Sequence, residues 1–215
     1  MDLAFAISAF ASIFAIVNPV GNIPVFVAIT EGYTPELQKK VRSKVCLVAG
    51  SVLIVFAFFG NYIFDLYGIT IPAFKIAGGV LLFSIAFTMT RGQMTKSKIS
   101  DEETQEASEK EQVGVVPLGI PLFAGPGAIT TVMIYVSYAQ NSSDATFGFF
   151  SIFLGILATI AIAYVLLKYA GPLFTRMGRS GAMAFTRIMG LLLAAIAVEF
   201  IISGAFEAVS NHWGI

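Results

Sequence analysis

Charged residues are scarce in this chain of 215 residues. Only 12% of the residues are charged, whereas 57% are hydrophobic and the mean hydropathy is +0.83. Soluble domains carry about twice that charged fraction. The formal net charge is zero and the cations form no continuous face, which excludes the phosphate attraction that nucleic-acid binding requires. We therefore expect a protein surface that faces a lipid bilayer, with no nucleic acid as a partner.

Cysteine and histidine are nearly absent as well. The single Cys46 excludes an intramolecular disulfide, and with the single His212 it offers no metal-ligand spacing. We expect neither a metal nor an organic cofactor. The amino terminus, "MDLAFAIS", lacks the positive region of a secretory signal, so the first apolar segment is expected to remain as a membrane anchor.

Long apolar runs are what the sequence has in abundance. A bilayer core of about 30 Å is crossed by about 20 helical residues. Six runs approach or exceed that length: 3–29, 42–65, 72–90, 114–138, 146–169 and 184–209. Thr34 followed by Pro35 predicts that the second helix begins before its apolar run. The fold class predicted is all-α, a polytopic membrane protein with six transmembrane helices.

The cations fall on one side of this topology. The connections 1/2, 3/4 and 5/6 hold Lys39, Lys40, Arg42, Lys44, Arg91, Lys96, Lys98, Lys110, Lys168, Arg176, Arg179 and Arg187. The other side receives only Lys75. Because short loops rich in Lys and Arg stay in the cytoplasm, both termini are predicted to lie outside.

The longest polar stretch divides the chain into two halves. Residues 1–92 and 113–215 each hold three predicted spans, and residues 93–112 form a cytoplasmic tether in which Ser100 and Glu103 have capping-box spacing. An odd number of spans per half requires the second half to enter the membrane from the opposite side. The segments "AFKIAGGVLLFSIA" and "AFTRIMGLLLAAIA" match in part when aligned. We therefore predict two inverted three-helix repeats within one membrane domain.

The first span of each half carries a proline and glycine motif. The motifs are "AIVNPVGNIPVF" and "GIPLFAGPGAITTV". Pro19 and Pro24 remove the amides that would bond the carbonyls of Ala15 and Val20, and Pro121 and Pro126 do the same to the carbonyls of Pro117 and Leu122. The glycines permit torsions that other residues resist. One interpretation is that each proline only kinks a packed helix. We favour two broken helices, because paired breaks in inverted halves indicate a midplane binding site in a secondary transporter.

The breaks supply both kinds of partner that a zwitterion needs. Helices that start after a break point unpaired amides toward an anion, and we expect these amides to come from Gly21, Asn22 and Ile23 at the first break and from Gly127, Ala128 and Ile129 at the second. Freed carbonyls and asparagine oxygens suit an ammonium group or a coupling cation. Ordered water in the same positions is the alternative. The predicted substrate-binding residues are Asn18, Pro19, Gly21, Asn22, Ile23, Pro24, Gly125, Pro126, Gly127, Ala128, Ile129, Thr130 and Thr131.

Three ionisable residues within or beside the spans carry further hypotheses. Glu199 is the deepest carboxyl group, and it either couples proton entry to transport or makes an interhelical hydrogen bond. Lys75 either reaches the outer surface or lines an outer vestibule. Arg187, its approximate counterpart in the repeat, would stand at the inner entrance.

The two motifs resemble those of the MarC family, the small neutral amino acid transporter family. "NPVGNIPVFVAIT" and "PLGIPLFAGPGAITTVMIY" carry the resemblance, which extends over nearly the whole chain. It implies a six-span protein of the cell inner membrane and, for some members, proton-coupled transport of glycine, alanine and similar solutes. The matching positions are Asn18, Pro19, Gly21, Asn22, Pro24, Pro121, Gly125, Pro126, Gly127 and Thr130.

The predicted function is secondary active transport of small neutral amino acids by alternating access, coupled to protons. Sodium coupling and export of other small solutes remain open. An intramembrane enzyme is not expected, because no nucleophile pairs with a base and no metal ligands cluster at membrane depth. A passive channel would need a ring of charges or a filter motif, and the sequence offers neither. A homo-oligomer is compatible with this prediction.

Overall fold

The computed structural model describes residues 3–30, 32–91 and 118–213. Every regular element in these ranges is helical: α1 (Leu3–Val17), α2 (Ile23–Ile29), α3 (Pro35–Tyr67), α4 (Ile71–Thr90), a π-helical turn (Leu118–Phe123), α5 (Pro126–Gln140) and α6 (Ala145–Trp213). The predicted tether at 93–112, with its capping-box pair, lies outside the described residues. The all-helical class is confirmed for the part that is described.

Four helical stretches are long and apolar enough to cross a membrane. They are Pro35–Tyr67, Ile71–Thr90, Ala145–Gly171 and Met183–Ser210. The last two are arms of α6, here named α6a and α6b. They join through Gly178, whose φ of 68° and ψ of 170° leave the helical region. The predicted loop between the fifth and sixth spans is therefore mostly helical, and one glycine with a positive φ breaks it.

The starts of α3 and α4 follow from local capping chemistry. Thr34 Oγ1 accepts a hydrogen bond from Leu37 N at 3.3 Å, and Pro35 occupies the first turn. Thr70 Oγ1 accepts from Ala73 N at 3.3 Å in the same way. Each threonine satisfies an amide that the helix cannot. The prediction that α3 begins ahead of its apolar run is confirmed.

Helices α1 and α5 are joined by a group of hydroxyls. Tyr135 Oη on α5 lies 2.6 Å from Ser8 Oγ and 2.9 Å from Ser12 Oγ on α1. The ring of Phe5 meets the Tyr135 ring edge-on, with centroids 5.6 Å apart. We call these four residues the hydroxyl clasp, because they connect the helix before the first break to the helix after the second.

Small residues let α4 and α6b pack closely. A Cβ atom on Gly79 would lie 2.7 Å from Ala197 O, and one on Gly204 would lie 2.8 Å from Pro72 O. Contacts that pair the start of α4 with the end of α6b show that the two helices run antiparallel. Small residues at Gly79 and Gly204 thus permit the close backbone approach that is common between membrane helices.

The close packing of α4 against α6b can be tested by substitution of Gly79. Gly79→Ala should lower the free energy of unfolding by about 1–3 kcal/mol, since the added methyl group meets a backbone carbonyl that cannot move by itself. Gly171→Ala is the matched control, because nothing lies within 4 Å of its ideal Cβ position. Thermal unfolding in detergent measures both variants. Equal unfolding temperatures for the two variants would contradict the close approach of α4 and α6b.

Candidate functional site

The first predicted break is a turn between α1 and α2. The helix ends at Val17 and resumes at Ile23, and Asn18 between them has a φ of 46°. Asparagine tolerates this left-handed conformation better than most residues. Gly21 packs directly on Asn18, so that a Cβ atom there would lie 2.3 Å from Asn18 Nδ2. The sequence motif thus fixes the turn through an asparagine and a glycine in contact.

The backbone amides of this turn already have acceptors. Gly21 N donates to Asn18 Oδ1 at 3.1 Å, and Asn22 N donates to Asn18 O at 3.2 Å. Ile23 N donates to Val20 O at 3.2 Å, so the Val20 carbonyl is not freed by Pro24. The prediction that the amides of Gly21, Asn22 and Ile23 would be unpaired is wrong, because the turn closes on itself.

The side chains of Asn18 and Asn22 contribute polar groups to this turn in addition to its paired backbone amides. Asn22 is buried, and its Nδ2 donates to Val17 O at 3.0 Å. Asn18 Oδ1 is taken by Gly21 N. These backbone partners fix the orientation of both carboxamides. These bonds engage Asn18 Oδ1 and Asn22 Nδ2, and the other atom of each carboxamide, the acceptor Asn22 Oδ1 and the donor Asn18 Nδ2, lies at the same turn.

The second predicted break lies between the π-helical turn and α5. Ile120 leaves the helical region with φ −138° and ψ 124°, and Gly125 caps α5 with φ −79° and ψ 172°. A Cβ atom on Gly125 would lie 2.1 Å from Pro121 O. Only glycine fits this approach of two backbone segments. Both predicted interruptions are confirmed as interruptions of the helix.

The first turn of α5 contains polar groups that bond within the helix and amides that have no regular acceptor there. Ile129 N donates to Gly125 O at 3.0 Å, and Thr130 Oγ1 donates to Gly127 O at 3.1 Å. These two groups bond within the helix itself, so the prediction that the Ile129 amide would be unpaired is wrong. The amides of Gly127 and Ala128 stand in the first turn, where N–H groups have no regular acceptor within the helix. They carry the positive end of the helix dipole.

A cavity of about 30 Å³ joins the two breaks. It has room for about two water molecules. The lining residues are Ile16, Val17, Asn18, Asn22, Leu82, Pro121, Leu122, Gly125, Gly127, Ala128, Leu193, Ile196 and Phe200. The structure thus brings five predicted site residues together: Asn18, Asn22, Gly125, Gly127 and Ala128. The remaining eight are not part of the lining: Pro19, Gly21, Ile23, Pro24, Pro126, Ile129, Thr130 and Thr131.

The ionisable residues singled out from the sequence do not line this cavity. Glu199 is exposed on α6b and is not part of the cavity lining, to which Ile196 and Phe200 of the same arm belong. Lys75 forms an ion pair with Glu207, where α4 begins and α6b ends. Arg187 is exposed. Lys75 therefore ties two helices together.

The match to known proteins agrees with this architecture. Residues 3–209 match the profile described as "MarC family integral membrane protein". The chain belongs to the MarC family. A match over this length includes both helix breaks and all of the cavity lining.

Several curated proteins are similar to this MarC-family chain along nearly its whole length. A UPF0056 membrane protein of Methanocaldococcus jannaschii is 42% identical, covering 95% of this chain and 97% of its own length. YvbG of Bacillus subtilis is 34% identical over 95% of each chain. YhcE of Escherichia coli is 38% identical over 91% of this chain and 89% of its own. No solved structure matches the chain.

Sequence reasoning missed the apolar walls of the cavity in this MarC-family protein. Leu82 comes from α4, and Leu193, Ile196 and Phe200 come from α6b. Phe200 lies closest to the second break, since a Cβ atom on Gly127 would lie 2.0 Å from its Cζ. No signal in one sequence separates these residues from the many other apolar residues of long spans. Only the packing of α4 and α6b against the breaks identifies them.

Proposed function

We propose that this MarC-family protein is a secondary active transporter of small neutral amino acids. The observation that carries the proposal is the single cavity that both helix breaks line. Paired discontinuous helices around one midplane cavity are typical of secondary transporters. The lining carries no charged side chain, which suits a solute without net charge.

The polar groups of the cavity complement a zwitterion. The first-turn amides of Gly127 and Ala128 would bind the substrate carboxylate, in the way that helix N-termini bind anions. Asn22 Oδ1 would accept a hydrogen bond from the ammonium group, and Asn18 Nδ2 would donate a second bond to the carboxylate. The remaining lining includes the apolar side chains of Leu82, Leu193 and Ile196, which suit an apolar substrate side chain, and the small volume of the cavity favours a short one. Glycine and alanine are therefore the proposed substrates.

Alternating access follows from the same arrangement. The hydroxyl clasp joins α1 to α5 on one side of the cavity, so opening that side requires its hydrogen bonds to break. We further propose that residues 1–92 and 113–215 are inverted repeats that move relative to each other around the cavity. The antiparallel pairing of α4 with α6b, the third helix of each half, supports this symmetry.

The placement in the cell follows from charge and family. We propose the cell inner membrane, with both termini outside, because the cations of the connections concentrate on the opposite side. In that orientation the hydroxyl clasp lies in the outer half of the membrane and α2 lies in the inner half. A homo-oligomer is compatible with this placement.

Flux in proteoliposomes tests the proposed function. Purified protein is reconstituted, and uptake of labelled glycine and alanine is measured under separately imposed proton and sodium gradients. Saturable uptake against a concentration gradient is expected, and it distinguishes a carrier from a channel. Absence of saturable flux from protein with a cooperative unfolding transition would overturn the proposal. Faster uptake under the sodium gradient alone would identify sodium, and not the proton, as the coupling ion.

Glu199→Gln tests the proposed proton coupling. Glu199 is exposed near the middle of α6b, and an ionisable group at membrane depth is a functional candidate by default. The substitution keeps the shape of the side chain and removes its ionisable carboxyl group. We expect uptake to lose its response to a proton gradient while glycine still exchanges across the membrane. A wild-type response to the gradient would assign proton coupling to another residue.

A further inference from the structure

The aromatic ring of Phe200 covers the start of α5. An ideal Cβ atom on Gly127 would lie 2.0 Å from Phe200 Cζ and 2.4 Å from Cε2, so the edge of the ring rests on the Gly127 backbone. Gly127 is the second residue of α5, in the turn whose amides have no regular helical acceptor. Phe200 belongs to α6b and is only partly buried. One residue of the last span therefore rests on the polar end of another helix.

The cavity beside this contact is too small to hold an amino acid in the described conformation. About 30 Å³ admits about two water molecules, and even glycine has more non-hydrogen atoms than that. A solute that contacts the Gly127 and Ala128 amides must therefore enlarge the cavity. The breaks cannot yield easily, since Gly125 and Pro121 are already in close backbone approach. A ring on a single side chain moves by rotation about its own torsions.

We propose that Phe200 is a displaceable cover over the α5 amides and that it sets the upper size of the transported side chain. The inference rests on the proposed function for its substrate. In the described conformation the ring occupies the space into which a side chain on Gly127 would extend, and on this proposal binding requires it to turn away. After it has turned, the same ring limits how far a substrate side chain extends toward α6b.

Phe200 differs from the other apolar residues of the cavity lining because its ring lies against Gly127. Leu193 and Ile196 line the cavity from the same arm, two helical turns and one helical turn before Phe200, and Leu82 lines it from α4. The three atoms nearest to an ideal Cβ on Gly127 belong to Phe200 and to Ile16, whose Cγ2 would lie at 3.1 Å. Ile16 belongs to α1, which the hydroxyl clasp holds. Of these two side chains, Phe200 is the one that lies outside the two broken helices.

Thiol labelling tests the cover without any transport assay. In a Cys46→Ala background, Ala128→Cys places a thiol on the covered turn, because Ala128 lines the cavity and is 2% exposed. Its rate of reaction with a small methanethiosulfonate reagent is measured with Phe200, with Phe200→Leu and with Phe200→Ala. We expect the rate to increase in that order. Phe206→Ala on the same arm is the control, because Phe206 is 76% exposed.

Uptake of a series of labelled amino acids tests the size limit. Phe200→Ala should raise uptake of valine relative to glycine by about 10- to 100-fold, the usual discrimination by a few methylene groups in an apolar pocket. Phe200→Leu should give an intermediate ratio, and it keeps the test open if Phe200→Ala does not fold. Phe206→Ala should retain the wild-type ratio.

The two experiments separate this inference from the proposed function. Increased labelling without amino-acid uptake by any variant would refute the transport proposal and retain the cover. Unchanged labelling and an unchanged valine to glycine ratio in folded Phe200→Leu would overturn the inference while glycine flux remains. Increased labelling with an unchanged ratio would overturn the size limit and leave only the cover.

Discussion

Gly125→Ala is expected to abolish amino-acid flux and to lower the free energy of unfolding by about 3 kcal/mol. The added methyl group would lie 2.1 Å from Pro121 O and 3.3 Å from Pro121 C. Both contacts are to backbone, so no side-chain rotation relieves them. The turn must open or α5 must shift, and either change displaces the Gly127 and Ala128 amides. The expected result is a variant whose second break no longer faces the first.

The comparison that isolates this effect is Gly50→Ala. Gly50 is buried, but its ideal Cβ lies 3.6 Å from the nearest atom, Ile160 Cγ1, which is ordinary contact. Alanine in a helix is favoured over glycine by about 1 kcal/mol. Gly50→Ala should therefore unfold at the wild-type temperature or slightly above it and keep its glycine flux. Wild-type flux from Gly125→Ala would mean that the tight turn is not needed for transport.

Local chemistry explains why much of the fold could be predicted from the sequence. Threonine caps followed by proline fixed the start of α3, and the run of asparagine, proline and glycine at 18–24 fixed the first interruption. Each of these signals acts within a few residues, through one side chain and the nearby backbone. Apolar length likewise identified the two arms of α6. Such features need no tertiary contact, so they are readable in one sequence.

The parts that could not be predicted depend on packing between distant segments. Proline at 24 suggested a free Val20 carbonyl, but the turn around Asn18 satisfies that carbonyl and the nearby amides. Glu199 attracted attention by depth alone, and depth does not say which side of α6b it occupies. Phe200 gave no signal, since its role depends on a glycine 73 positions earlier. The helix breaks were local, whereas the cavity lining was not.

Asn22→Leu should reduce the kcat/KM of glycine uptake by about 10- to 100-fold. The buried ammonium group of the substrate would lose a hydrogen-bond partner, and leaving a buried polar group unsatisfied costs about 1–3 kcal/mol. Asn22 lines the same cavity as Gly127 and Ala128 of α5, and leucine has a similar shape without a hydrogen-bond acceptor. The substitution also leaves Val17 O without the Nδ2 donor, which should lower the unfolding temperature moderately. Both effects arise from one carboxamide, so a control must separate them.

Asn141→Leu supplies that control. Asn141 Nδ2 donates to Ser137 O at 3.0 Å, the same side-chain to carbonyl bond, but at an exposed helix end outside the cavity lining. Water replaces the lost donor there, so stability and uptake should both stay near the wild-type values. Asn18→Gly complements it, since glycine keeps the positive φ and removes only the carboxamide. If Asn22→Leu and Asn141→Leu transport glycine equally well, the Asn22 acceptor does not bind the ammonium group. A selective loss in Asn22→Leu and Asn18→Gly would place both asparagines at the substrate.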